Sequence, residues 1–152
     1  MTLKIKTSDE MIALGKKIGE LLEPNMVITL TGDLGAGKTT MTKGIALGLD
    51  IKNVINSPTF TIMKIHQGRL TLYHMDVYRI NNDSGDEYLE EYFESGGVCV
   101  VEWAENISDF LPEKCLKITI NYADEGREVE IVGQDEYLDL IRRLEVWVEL
   151  WF

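Results

Sequence analysis

The chain has 152 residues, 45% apolar and 27% charged, with fifteen basic against twenty-six acidic residues for a formal net charge of −11. That length predicts one domain with a hydrophobic core of its own. The acidity argues against a protein that grips nucleic acid or anionic lipid by itself, although a local positive site can sit inside an acidic field.

Leu3 to Lys6 reads as a short first strand. Thr7 and Glu10 have capping-box spacing, and Ile12, Leu14, Ile18, Leu21 and Leu22 mark one face of a helix to about Glu23, where Pro24-Asn25 breaks it. Met26 to Thr31 is a short apolar run, expected to be a buried strand; a glycine-rich turn follows, then a helix from about Lys38 to Leu49. Thr59–His66 and Arg69–Met75 flank Gln67-Gly68 and predict a hairpin. Ser84 and Glu87 repeat the capping-box spacing before a short helix through about Phe93. Val98–Glu102 is an apolar run ending in an acid, and Ala104–Phe110 reads as a short helix stopped by Pro112. Cys115–Tyr122 and Glu128–Val132 bracket a polar turn as two late strands, and a C-terminal helix begins at Asp135. It ends in Trp147, Leu150, Trp151 and Phe152; the helix is expected to pack on the sheet, the other reading being a sticky patch for a partner. The pattern is α/β with a mixed sheet, whose sites belong at the carboxyl ends of strands.

Cys99 and Cys115 fall in apolar runs and have no zinc-ligand spacing, so buried free thiols in a reducing, cytoplasmic setting are expected. No N-terminal apolar core has signal-peptide length, and no stretch approaches about 18 uninterrupted apolar residues.

The informative stretch is Gly32, Asp33, Leu34, Gly35, Ala36, Gly37, Lys38, Thr39 and Thr40, which matches G-x-x-x-x-G-K-[ST] without a gap. The glycines let the backbone turn tightly so that its N–H groups converge on phosphate oxygens, and the following helix presents its N-terminus to the anion. Lys38 adds a point charge near the β- and γ-phosphates, and the Thr39 hydroxyl suits the shell of Mg²⁺. An expected strand before the loop and an expected helix after it supply the context such a match needs. No Asn-Lys-x-Asp run of the guanine-reading kind exists in the chain.

A site of this kind also needs acids. Leu70–Asp76 and Val98–Glu102 are two apolar runs that each end in one, and either carboxylate can serve Mg²⁺ directly or through water. His74 shares the strand face of Asp76; it and His66 are read as structural histidines. Asn56–Phe60 is a turn by composition, placed where a γ-phosphate-sensing segment would sit.

Gly32–Thr40, Ser57-Pro58-Thr59-Phe60, His74-Met75-Asp76-Val77-Tyr78-Arg79 and Val101-Glu102-Trp103, in this order, resemble the TsaE (YjeE) family of small bacterial P-loop ATPases of tRNA threonylcarbamoyladenosine modification. The resemblance runs from the first helix to about Val132. It implies a single P-loop ATPase domain over residues 1–152, with a P-loop NTPase-like fold and a mixed β-sheet flanked by helices. It also implies ATP held at Gly32–Thr40, Mg²⁺ on Thr39 and Glu102, and Lys38, Asp76 and Glu102 as the catalytic set, Asp76 being the Walker-B-type acid. Ser57–Phe60 would be a first switch and Glu102-Trp103 a second. Thr7 and Ser8 would lie beside the adenine, and Arg127 near the nucleotide. The implied partners are the TsaD and TsaB proteins, with tRNA reached only through that complex. Glu145–Phe152 matches no family motif.

Two other readings of the loop stand beside this one. A shikimate-type small-molecule kinase would use a D-x-D pair and substrate-gripping arginines, but no D-x-D lies between Thr39 and Asp76 and only Arg69 falls in that span. A nucleotide sensor without hydrolysis would not need the strand-end acids.

Overall fold

The cap expected at Thr7 forms. In the computed structural model, which describes residues 1–53, 55–56 and 61–152, strand β1 (Thr2–Ile5) leads into helix α1 (Ser8–Leu21). The Glu10 N–H donates to Thr7 Oγ1 at 3.1 Å, and the Glu10 carboxylate accepts from the Lys6 N–H at 2.7 Å, which satisfies two N–H groups at the helix entrance. Strand β2 (Val27–Gly32) then delivers the glycine-rich loop to helix α2 (Lys38–Gly48). Strands β3 (Met63–His66) and β4 (Leu72–Asp76) form the expected hairpin; Thr59 and Phe60, its expected start, lie outside the described residues. Strand β5 (Val98–Glu102), the hairpin β6 (Leu116–Ala123) and β7 (Gly126–Val132), and helix α3 (Glu136–Trp151) complete the regular elements.

The described strands make one mixed sheet in the order β1-β7-β6-β2-β5-β4-β3. The four middle strands, β6, β2, β5 and β4, run parallel, and both flanks are antiparallel. β2 and β5 are apolar at consecutive positions because both faces of the sheet centre are covered, as parallel strands require. Leu30, Val98, Val100 and Ile118 join α1, α2 and α3 in one core, while Val27, Cys99, Val101 and Met75 face a second core with Leu89, Phe93, Ile107 and Phe110.

The two expected short helices form, both as 3₁₀ turns, at Glu87–Glu94 and Ala104–Phe110, the second kinked at Ile107. One expectation needs correction. The Ser84–Glu87 capping box does not form: the Ser84 hydroxyl donates to Asn81 O at 2.9 Å and lies 2.5 Å from Asp86 Oδ2, so a tight local turn takes the group a cap would need. Helix α3 packs on the core as expected through Tyr137, Leu140, Ile141 and Leu144, with Trp147 and Val148 against it. Trp147 is half-buried with its ring edge-on to Phe152, but Leu150 and Trp151 are exposed.

Helices α1 and α2 approach so closely that glycine is required on both. Gly15 faces Gly44 and Gly19 faces Gly48; a Cβ on Gly44 would sit 2.4 Å from Ile12 O, and one on Gly48 2.2 Å from Lys16 O. Both pairs advance in the same direction, so the helices run parallel and their N-termini stand side by side.

Candidate nucleotide site

Gly32 leaves β2 with φ 130° and lies so close to β6 that a Cβ would meet Ile120 O at 1.9 Å. Gly35 and Gly37 also have positive φ, so the backbone turns where residues with a Cβ would be strained. Gly37 begins α2, and no side chain caps it, in contrast to the Thr7 cap on α1. The entrance of α2 is thereby left for an external anion.

The hairpin β6–β7 braces this loop from outside. Asp33 Oδ2 accepts from the Tyr122 N–H at 3.0 Å, and the Tyr122 hydroxyl donates to Leu34 O at 2.6 Å. Arg127 Nε donates to Ala36 O at 2.9 Å, with its guanidinium stacked 4.5 Å from the Tyr122 ring centre. Asp33 and Arg127 are thus loop-holding residues in this structure, and Tyr122, which the sequence reading passed over, holds the loop as much as either. Only the pairing of β6 with β2 and β7 brings Tyr122 there, so no local signal marks it.

Two cavities meet at Gly35, Gly37 and Thr40. The first, about 230 Å³, is lined by Ile5, Lys6, Thr7, Ser8, Met11, Gly126 and Arg127 as well as the loop. Thr7, Ser8 and Arg127, far apart in sequence, therefore converge as expected. The second, about 330 Å³, is lined by Leu34, Lys38, Thr39, Asp76, Glu102 and Trp103 in addition to the shared loop residues. Residues 83–113 hold ten acidic residues and no lysine or arginine, so the rest of the chain is close to neutral. The first cavity, lined by Lys6 and Arg127 and by no acidic residue, is the positive locality the net charge did not exclude.

Inside the second cavity, Lys38 is 94% buried, and its Nζ donates to Gly32 O and Asp33 O at 3.0 Å each. The same ammonium lies 4.4 Å from the Trp103 ring centre. Trp103 reaches it through a left-handed backbone (φ 64°) that is unusual for so large a residue. Asp76 and Glu102 are cross-strand neighbours at the carboxyl ends of β4 and β5. Burial, reinforced by the Glu102 charge, holds the Asp76 carboxyl above its ordinary range, while the Tyr78 N–H hydrogen bond to Oδ1 works the other way. His74 Nε2 and Glu102 Oε2 lie 2.5 Å apart in the interior, a pairing the sequence reading did not foresee. His66 is buried with neither ring nitrogen partnered among the described residues, and burial lowers its basicity. Ser57–Phe60, the expected first switch, lies outside the described residues.

A mixed sheet carrying a glycine loop from its central strand to an uncapped helix defines a single-domain α/β protein with a P-loop NTPase-like fold. The family model described as threonylcarbamoyl adenosine biosynthesis protein TsaE matches residues 5–129, and the chain belongs to that family. It is 52% identical over 123 residues to the tRNA threonylcarbamoyladenosine biosynthesis protein TsaE of Bacillus subtilis (strain 168), covering 80% of this chain and 78% of that protein. The protein of the same name from Treponema pallidum (strain Nichols) is 45% identical over 126 residues, covering 77% of this chain and 89% of that protein. The crystal structure of Bacillus subtilis YdiB superposes with a TM-score of 0.84 at 40% identity, covering 95% of this chain and 93% of that one.

Proposed function

We propose that residues 1–152 form one Mg²⁺-dependent P-loop ATPase domain that serves threonylcarbamoyladenosine biosynthesis on tRNA. The observation that carries this reading is the cavity uniting Lys38, Thr39, Asp76 and Glu102 at the mouth of the loop. The geometry of the loop suits a phosphate ligand. Its Lys38 ammonium rests on the loop's own carbonyls, Gly32 leaves no room for a Cβ, and α2 has no side-chain cap.

In this reading the nucleoside enters the cavity beside Thr7, Ser8 and Arg127, and the phosphates lie along Gly32–Thr40. Lys38, now donating to Gly32 O and Asp33 O, would supply its charge to the β- and γ-phosphates, a charge-assisted exchange of acceptors. Thr39 and Glu102 would hold Mg²⁺, which supplies neutralisation of charge at the β- and γ-oxygens. Asp76, partly desolvated beside Glu102, serves as the second acid, in the Walker-B role. Glu102-Trp103 would form the switch segment: the indole lies 4.4 Å from the Lys38 ammonium, and the acid before it lines the same cavity. The acting complex includes the TsaD and TsaB proteins, tRNA is met only through them, and the setting is the cytoplasm. Among the described residues no helix is long and apolar enough to cross a membrane.

The test is phosphate release from ATP with and without the TsaD–TsaB pair, for the wild type and for Lys38→Ala. Removing the ammonium should weaken ATP binding by about 1–3 kcal/mol, the range for a charge-assisted contact. Wild-type nucleotide affinity in Lys38→Ala would count against the loop assignment. Tight ATP binding without release under either condition would favour the sensor reading.

A further inference from the structure

We propose that His74 is a positioning residue that fixes the Glu102 carboxylate in one orientation for the metal, an inference that rests on the metal role of Glu102 proposed above. His74 is fully buried and Glu102 is 3% exposed. Nε2 and Oε2 stand 2.5 Å apart, a separation that places one hydrogen between nitrogen and oxygen. Nδ1 is buried with no hydrogen-bond partner among the described residues.

The strand register explains how the pair forms. His74 lies opposite Val100, and Asp76 lies opposite Glu102. Two-residue alternation puts His74, Asp76 and Glu102 on the same face of the sheet, with the imidazole one step below the two acids. One oxygen of Glu102 is committed to His74, which leaves Oε1 as the oxygen for the cavity that Glu102 shares with Thr39, Lys38 and Asp76. An imidazole at this position also keeps a buried carboxylate from standing without a donor. Second partners of this kind set the rotamer of a ligating group and tune its affinity for metal.

The test measures Mn²⁺ binding to the full-length protein–ADP complex by electron paramagnetic resonance, with metal-free ADP affinity measured in parallel. His74→Leu should weaken Mn²⁺ binding by about 10–100-fold, the usual range for losing such a partner. His74→Gln places an amide N–H near the position of Nε2 and should restore most of the affinity. His74→Asn is too short to reach Glu102 and should resemble His74→Leu; it also serves if the leucine variant fails to fold. Metal-free ADP affinity should stay near wild type in all three. Glu102→Gln separates the two levels of the argument. If it loses Mn²⁺ while His74→Leu and His74→Asn keep wild-type affinity, the positioning role is overturned and the metal role of Glu102 stands. If Glu102→Gln itself binds Mn²⁺ normally, both are overturned. Equal losses in His74→Gln and His74→Asn would reduce His74 to a packing residue and overturn the inference.

Discussion

Replacing Gly44 by alanine sets two effects of opposite sign against each other. Gly44 lies inside α2, where alanine is favoured over glycine by about 1 kcal/mol, so propensity alone makes the variant more stable. The structure argues the other way. The added methyl carbon would stand 2.4 Å from Ile12 O, 2.9 Å from the Gly15 Cα and 3.0 Å from the Lys16 N, all backbone atoms of α1, whereas ordinary contact begins at 3.4 Å. No side chain can swing aside, so the helices must part by roughly 1 Å, and a gap of that size forfeits a quarter to a half of each dispersion contact along the seam. Overpacking costs about 1–3 kcal/mol, and the lost contacts add to it. The net expectation is a loss of about 2 kcal/mol, measured by urea unfolding with an unchanged slope. Lys43→Ala, exposed on the same helix, is the control and should fall within about 0.5 kcal/mol of wild type. ADP affinity should fall too, because Thr7 and Ser8 on one helix and Gly37 and Thr40 on the other line one cavity. A Gly44→Ala protein as stable as wild type, or more so, would refute the claim that the glycines hold the two helices in contact.

Three further outcomes follow from particular groups. Asp76 has a raised pKa in the folded chain, so folding favours its protonated form; the penalty is absent below the ordinary value of 3.8 and complete once the pH exceeds the folded value. Asp76→Asn, whose amide oxygen can still accept from the Tyr78 N–H, should therefore melt higher than wild type at pH 7, by a margin that narrows as the pH approaches 4, while ATP turnover falls. The Tyr137 hydroxyl, pushed up to about 12 chiefly by burial, accepts from the Val27 N–H at 2.8 Å at the start of β2. Tyr137→Phe leaves that donor unpaired and should cost about 1–2 kcal/mol in chemical denaturation. Burial pushes Cys99 up to about 12 and Cys115 up to about 11, so iodoacetamide at pH 8 should label neither thiol in the native protein and both in urea, as read by mass spectrometry.

The features legible in the sequence were those whose cause is local. The Thr7–Glu10 cap, the glycine loop with its flanking strand and helix, and the acids ending β4 and β5 each depend on neighbours a few residues away, and each stands where expected. The features that were hidden depend on register or on distant pairing. His74 meets Glu102 only because β4 and β5 align in parallel with Asp76 opposite Glu102. The glycines paired between α1 and α2 carry no local signal, and their need becomes visible only when the two helices are laid together. Ser84 shows the converse failure: its spacing to Glu87 was right for a cap, but a nearer carbonyl and carboxylate took its hydroxyl.

The sheet order has a consequence for how the chain acquires its site during synthesis. Among the described residues β1 finds its neighbour only in β7, more than a hundred residues later in the chain, and the registered pairs Lys4–Glu128 and Ile5–Arg127 join the two. The nucleoside-side cavity is built from both sides of that junction, Ile5 to Ser8 against Gly126 and Arg127. The phosphate loop emerges much earlier, yet the hydrogen bonds that brace it come from Tyr122 and Arg127. A nascent chain shorter than β7 therefore has a loop without its brace and a pocket without one wall. Nucleotide capture in a growing polypeptide becomes a late event, set by the longest-range pairing in the fold and slow for the reason that non-local contacts are slow. Ligand binding by this protein thus reports closure of the β1–β7 junction as well as occupancy of its loop.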